Sequence, residues 1–508
     1  MRSKKAIYNI VSNLFLQAVV VIYGFIVPKI IISHFGSDVN GLIASVTHFL
    51  AYIALLESGF GPVVKATLYK PIAKKDSNAI AGILRTSEKF FRRIALIFIL
   101  YIIVLCFIFP LIVNAGFDTF FTVSLVVIIG ISTFAEYYFG MAYRLFLQAE
   151  QKTYVVSIIQ IVTYILSAIA VVILAITGTN VLVIKLVSGL IFVLRPLIQN
   201  YYVKKKYNLR LEDAPSNYPI KQKWDGLAQH IAAVIHSNTD IVVLTIFTTL
   251  AEVSVYSVYY LVVSGIKKLV QSLVIGLDAS FGDMIAKKED DNLRRKFSIY
   301  ELVFMLIITV IFACTIILIT PFIKVYTSGV VDANYIRPEF GCLLVISELI
   351  WAIRTPYNSI TLAAGHFKET RKGAWAEAII NIVISVVLVF HYGLIGVAIG
   401  TIVAMAVRTA EFVYHANKYV LKRSIWESLG KILVAIVATA ISVIIVYFIN
   451  LSSPDSYAMW IINALITLVI SSIVTVSLYL IVFGSELLIA VKWVKRIARK
   501  NNRGVARN

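Results

Sequence analysis

Residues 1–32 read MRSKKAIYNIVSNLFLQAVVVIYGFIVPKIII. Arg2, Lys4 and Lys5 precede an apolar run that extends to Ile32. The run is longer than the apolar part of a secretory signal and lacks a small-residue cleavage site. It is therefore expected to remain as a membrane helix. A helix needs about 20 apolar residues to cross the hydrocarbon layer. Applied along the chain, this rule gives about fourteen crossings. They lie near 8–34, 41–66, 92–113, 120–142, 153–176, 181–202 and 224–248, then 253–277, 297–320, 338–361, 373–391, 394–416, 430–450 and 458–483. The expected fold class is an all-α polytopic membrane protein.

Composition supports this reading. Of 508 residues, 59% are hydrophobic and 15% charged. A soluble core cannot hide that much apolar surface, so lipid must solvate much of it. The net charge of +20 falls in short segments between apolar runs. Lys70, Lys74 and Lys75 form one such cluster, Lys204, Lys205 and Lys206 another, and Lys287, Lys288, Arg294, Arg295 and Lys296 a third. No basic stretch interleaved with aromatics stands apart from the spans, which argues against nucleic acid as partner. The alternate loops have almost no Lys or Arg, Lys324 and Arg337 being the main exceptions. The positive-inside rule then places both termini in the cytoplasm of a bacterial-type inner membrane.

Cys106, Cys314 and Cys342 lie within apolar runs, as small core residues do. The sequence shows no Walker A loop, metal-binding cluster or large outer loop, so neither enzyme activity nor a cofactor or metal is expected.

An internal repeat organises the spans. His34-Phe35-Gly36-Ser37-Asp38-Val39-Asn40-Gly41-Leu42 has a counterpart in Thr249-Leu250-Ala251-Glu252-Val253-Ser254-Val255-Tyr256-Ser257. Ser58-Gly59-Phe60-Gly61 matches Ala279-Ser280-Phe281-Gly282, Phe146–Lys152 matches Thr361–Lys368, and Arg195 matches Arg408. Six crossings separate the copies, so both have the same orientation and are parallel repeats. The expected plan is an N-terminal six-helix lobe (1–222), a second (223–420), and two further helices with a basic tail (421–508).

The fourteen-helix plan with parallel lobes resembles the multidrug/oligosaccharidyl-lipid/polysaccharide (MOP) exporter superfamily. The Phe35-Gly36…Gly41-Leu42 turn and Leu362-Ala363-Ala364-Gly365 look like its polysaccharide-transporter branch, which includes O-antigen and capsule-unit flippases. The resemblance implies alternating-access transfer of a lipid-linked oligosaccharide of the undecaprenyl pyrophosphate type from inner to outer leaflet. It also implies contact with membrane lipids and with a polysaccharide polymerase.

Such cargo needs cations in a polar cavity, because phosphates cannot cross hydrocarbon unaided. The deep cations are Lys267 and Lys268, Arg354 beside Pro356, Arg195 beside Pro196, and Arg408. These are the candidate substrate-binding residues, arginine being suited to phosphate by its bidentate fork. Asn9, Asn13 and Gln17 make a polar stripe that either lines a cavity or bonds to another helix. His236 and Asp240, four apart, form either an ion-coupling pair or a structural bond. Glu57 and Lys65 are expected to neutralise one another along one helix.

Two other cargoes fit the superfamily. A multidrug or cation antiporter would favour acidic deep residues, whereas these lean cationic. The lipid II flippase branch carries an Arg-Asp pair in its first helix; here Lys29, after Pro28, is the cation available.

Overall fold

The computed structural model describes residues 2–57, 59–113, 116–207, 218–219, 227–274 and 277–505; side chains of 2–4, 6, 227–229, 277–279 and 490–505 are outside the description. Most of the basic 203–222 loop beyond Tyr207 also lies outside the described residues, as does Asn508.

All regular structure among the described residues is helical. In chain order the helices are α1 (Arg2–Phe35), α2 (Ser37–Ala51), α3 (Ala54–Glu57), α4 (Phe60–Lys74), α5 (Ser77–Ile112), α6 (Thr119–Ala135) and α7 (Met141–Ala149). They continue with α8 (Thr153–Ile176), α9 (Val181–Tyr207), α10 (Leu227–Phe247), α11 (Leu250–Ser272) and α12 (Leu277–Ala286). The remainder are α13 (Asp290–Tyr326), α14 (Pro338–Ala363), α15 (Arg371–His415), α16 (Trp426–Ile449) and α17 (Tyr457–Val505). Wider π-turns follow α6 at Glu136–Gly140 and α15 at Ala416–Leu421.

Among the described residues, thirteen spans are long and apolar enough to cross a membrane. One of them contains two of the expected crossings. Gly393 has φ 51 and ψ −126 inside α15, a conformation open to a residue without a Cβ. The chain folds back there. Asn381 Nδ2 donates to Thr401 Oγ1 at 3.0 Å, and Arg408 Nη1 to the Thr370 carbonyl at 2.8 Å. The partners move apart in sequence on either side of Gly393, as an antiparallel hairpin requires.

Two crossings are interrupted where the hydropathy pattern showed one helix each. The second is divided among α2, α3 and α4, with Gly59 in the left-handed region at φ 79. Glu57 therefore ends one helix while Lys65 lies on the next, and Glu57 accepts instead from Tyr137 Oη at 3.3 Å. The eighth crossing stops at Ser272, and α12 resumes at Leu277.

The chain forms two compact units. One comprises Met1–Leu261 with Gly329–Ala333; the other comprises Val262–Ser328 with Asn334–Asn508. In the first unit, Leu42, Val46, Val64, Leu84, Phe98 and Phe146 are fully buried. On the opposite face of α5, Leu100, Phe107 and Leu111 are exposed, as suits a side solvated by lipid tails.

The repeat is visible in polar bonds as well as in helix order. Helices α5 and α13 begin at Ser77 and Asp290 and end at Ile112 and Tyr326. Tyr143 Oη donates to Glu88 at 2.5 Å, and Tyr357 Oη to Glu301 at 2.7 Å. Ser167 bonds Ser188 at 2.7 Å across α8 and α9, as Asn381 bonds Thr401 at 3.0 Å across α15. Arg195 reaches Thr163, and Arg408 reaches Glu377. All six pairs of counterparts lie 213 or 214 positions apart.

Candidate substrate site

The second unit gathers most of the deep charges into two groups of ion pairs, Lys267 with Glu348, and Arg354 with Glu377, Arg408 and Glu411. Glu348 stands ten residues after Pro338 on α14, about 15 Å along the helix at 1.5 Å per residue. Lys267 Nζ of α11 lies 3.2 Å from Glu348 Oε2 and 4.6 Å from the Trp351 ring centroid. Further along α14, Arg354 Nη1 lies 2.6 Å from Glu377 Oε1 on the first arm of α15. The other oxygen of Glu377 lies 3.5 Å from Arg408 Nε on the second arm. Arg408 also pairs with Glu411 and packs over Phe412 at 4.3 Å. Thr409 Oγ1 donates to the Ile350 carbonyl at 3.1 Å, fixing the second arm against α14.

These groups differ in access. The Arg408 side chain is 2% exposed, Arg354 12% and Lys267 18%. Lys268 is half-buried and meets no carboxylate among the described residues. The hairpin and α14 thus hold Arg408 as a fixed post, while Arg354, Lys267 and Lys268 have progressively freer surroundings. In a low-dielectric setting the attraction within each ion pair offsets part of the cost of burying its charges. Lys267, Lys268, Arg354 and Arg408 are four cations against the three carboxylates Glu348, Glu377 and Glu411.

The first unit distributes the remaining candidates. Asn9 Nδ2 donates to the Gln151 carbonyl at 3.0 Å, and its Oδ1 accepts from Tyr154 N at 2.8 Å. Asn9 thereby joins α1 to the start of α8. Asn13 and Gln17 are half-buried and make no side-chain hydrogen bond among the described residues. Arg195 Nε donates to Thr163 Oγ1 at 2.6 Å, and its Cζ lies 4.1 Å and 4.0 Å from the Tyr164 and Phe192 ring centroids. Asp240 accepts from Tyr256 Oη at 2.9 Å; His236 is half-buried four residues earlier on α10.

Sequence reasoning missed two constellations. One is a polar seam joining α2 to α10 and α11. Asn40 Nδ2 donates to Ser254 Oγ at 2.8 Å, Ser45 and Thr245 hydroxyls lie 2.7 Å apart, and His48 Nδ1 lies 2.9 Å from Asn238 Oδ1. Gly41 permits the approach, since a Cβ there would stand 1.9 Å from the Leu250 carbonyl oxygen. Asp332 extends the seam by accepting from Ser37 N at 2.6 Å. The small-residue turn in the repeat motif was the available signal.

The other is centred on Glu301 of α13, whose side chain is 0% exposed. It accepts from Arg423 Nη2 at 2.8 Å, Lys431 Nζ at 2.9 Å, Ser428 Oγ at 2.6 Å and Tyr357 Oη at 2.7 Å. Lys431 of α16 also reaches Glu486 of α17 at 3.3 Å. This cluster binds the two terminal helices to the second repeat.

Solved structures share this fold. The chain aligns with "Lipid II flippase MurJ, inward closed conformation" over 95% of its own length and 100% of that chain, at 14% identity and a TM-score of 0.69. An inward-facing conformation of a multidrug resistance MATE family transporter of the MOP superfamily aligns over 80% of this chain and 98% of that one, with 13% identity and a TM-score of 0.62. A MATE structure in the bent conformation aligns over 82% and 95%, with 12% identity and a TM-score of 0.53. No protein-family model matches the sequence, and no curated protein does. The chain therefore has the all-α, multi-pass fold of these transporters; at such identities the likeness is one of fold.

Proposed function

We propose that this protein is a flippase that carries polyprenyl-pyrophosphate-linked oligosaccharide units from the inner to the outer leaflet of a bacterial cytoplasmic membrane, for cell-surface polysaccharide assembly. The observation that carries this reading is the set of cations Lys267, Lys268, Arg354 and Arg408 on membrane-spanning helices. A pyrophosphate needs charge compensation wherever water is excluded. Lys267, Lys268 and Arg354 supply it. Glu348 and Glu377 hold two of these cations in place until the phosphates take over, and the polyprenyl tail stays in lipid.

The transporter is not an enzyme in this reading, since the cargo changes leaflet without a change in covalent structure. Both termini lie in the cytoplasm, and a polysaccharide polymerase receives the exported unit. Alternating access by two parallel lobes, 1–222 and 223–420, moves the cargo, and the seam on α2 closes the outer side. His236 and Asp240 are the candidate ion-coupling pair. The cationic deep residues favour this cargo over the cationic drugs of a multidrug antiporter. The absence of an Arg-Asp pair from α1 argues for a glycan other than lipid II.

The test is transport of labelled lipid-linked glycan in proteoliposomes, measured per folded molecule. Lys267→Ala, Lys268→Ala and Arg354→Ala should each abolish transfer at normal protein level. Arg354→Lys should recover part of it, because the bidentate fork is lost. Normal transfer in all three alanine variants would remove this site.

A further inference from the structure

The two repeat-related arginines have opposite surroundings. Arg408 has two carboxylates, Glu377 at 3.5 Å and Glu411. Its counterpart Arg195 has none among the described residues, and the place of Glu377 is taken by Thr163. Arg195 lies fourteen residues after Val181 and twelve before Tyr207 on α9, roughly 20 Å from either end at 1.5 Å per residue. It is a mid-depth cation.

Its contacts leave a defined part of the guanidinium unused. Nε bonds Thr163 Oγ1 at 2.6 Å. The rings of Tyr164 and Phe192 lie about 4 Å from Cζ. Nη2 is buried and hydrogen-bonds to nothing among the described residues. Nearby, Tyr23 Oη lies 3.1 Å from Ser167 Oγ, and its ring centroid 4.9 Å from that of Tyr164. On α1, Asn13 and Gln17 are half-buried polar groups without hydrogen bonds among the described residues. Helices α1 and α8 run parallel, since Asn9 meets Tyr154 and Tyr23 meets Ser167. Gln17, eight residues beyond Asn9, thus stands near the height of Thr163, nine beyond Tyr154.

A cation within a membrane protein is costly without an opposite charge. The second repeat meets that requirement with its own carboxylates, whereas the first has hydroxyls, rings and amides. These groups can surround an anion but cannot replace one. We infer that Arg195, with Thr163 and the α1 amides, forms an anion site in the first unit whose ligand is a phosphate group. A phosphate oxygen would accept from Nη2, which the protein leaves free. The same chemistry is offered by a prenyl-linked phosphate and by free phosphate. The inference concerns equilibrium binding and does not require that the protein transports its ligand.

The test is calorimetric titration of the purified full-length protein in detergent with inorganic pyrophosphate, and separately with farnesyl pyrophosphate. Arg195→Gln should weaken binding about tenfold or more, in line with loss of one charge-assisted contact. Thr163→Glu is the second variant. It rebuilds the ion pair of the other repeat, so it should leave the protein folded, raise its melting temperature and weaken both probes to a similar degree. Tighter binding of the prenyl probe would identify a lipid phosphate, and equal affinity a free one; both support the site. Absence of saturable binding to the unmodified protein would overturn the inference. Binding unchanged by Thr163→Glu would also overturn it, and would leave the cations of the second unit untouched as an explanation for that binding.

Discussion

Glu301→Gln gives a sharp test of how the terminal helices are held. The substitution keeps the shape of the side chain and removes its charge. Glu301 is 0% exposed, and its cations Arg423 and Lys431 are 5% and 1% exposed. Breaking a buried pair from one side costs about 3–5 kcal/mol, because the remaining charge stays desolvated. Glu427 at 3.6 Å and Glu486 at 3.3 Å soften the loss, but both are about half exposed. The expected destabilisation is therefore about 3 kcal/mol, the lower end of that range. The first repeat supplies the control. Glu88 makes the same bond to tyrosine, yet its cation Arg92 is 46% exposed and 3.8 Å away. Glu88→Gln should cost about 1 kcal/mol, the worth of a hydrogen bond and a screened ion pair. Denaturant unfolding of both variants in the same detergent measures the difference. Adding Lys431→Met to Glu301→Gln should restore part of the loss. Equal destabilisation by Glu88→Gln and Glu301→Gln, within about 0.5 kcal/mol, would refute the reasoning from burial.

The remaining predictions address orientation, gating and the hairpin. Cysteine tags at Lys205 and Asn508 should be unreactive to an impermeant reagent in intact cells, and outside labelling would reverse the topology. Cysteines replacing Ser45 and Thr245, whose hydroxyls lie 2.7 Å apart, should form a disulfide under oxidation and reversibly stop the proposed transfer of lipid-linked glycan; full transfer by the linked protein would exclude opening at this seam. Gly393→Ala places a Cβ at φ 51 and should lower stability by about 1–2 kcal/mol, read as a lower melting temperature; an unchanged melting temperature would show that the turn tolerates a side chain.

The spans were legible because hydropathy is local: twenty residues carry their own evidence of burial in lipid. The breaks after Glu57 and after Ser272 were not, because each interrupted crossing stays apolar enough on both sides to read as one helix. Lys267 and Arg354 stood out as charges in apolar runs. Glu377 did not, although it bridges Arg354 and Arg408. It lies near the start of its span, where an acid looks like an interface residue, and its partner Arg408 is brought opposite by a turn at one glycine. Glu301 was hidden in the same way beside the basic 287–296 segment. The repeat was read from short strings, whereas its firmest register lies in bonded pairs such as Tyr143–Glu88 and Tyr357–Glu301, which become visible only when the partners are known.

The Glu301 cluster also has a consequence for biogenesis. Its two cations come 122 and 130 residues after the carboxylate in the chain. At about 5–20 residues per second, synthesis of the intervening segment takes roughly 6–26 seconds. During that interval α13 has already been made, with a strongly apolar sequence to carry it into the bilayer, but Glu301 has neither cation. A chain that ended just before residue 423 would contain α1 to α15 and the Tyr357 bond to Glu301, but neither of its cations. The last two helices and the turn before them thus complete a buried charge balance that the first fifteen helices leave open.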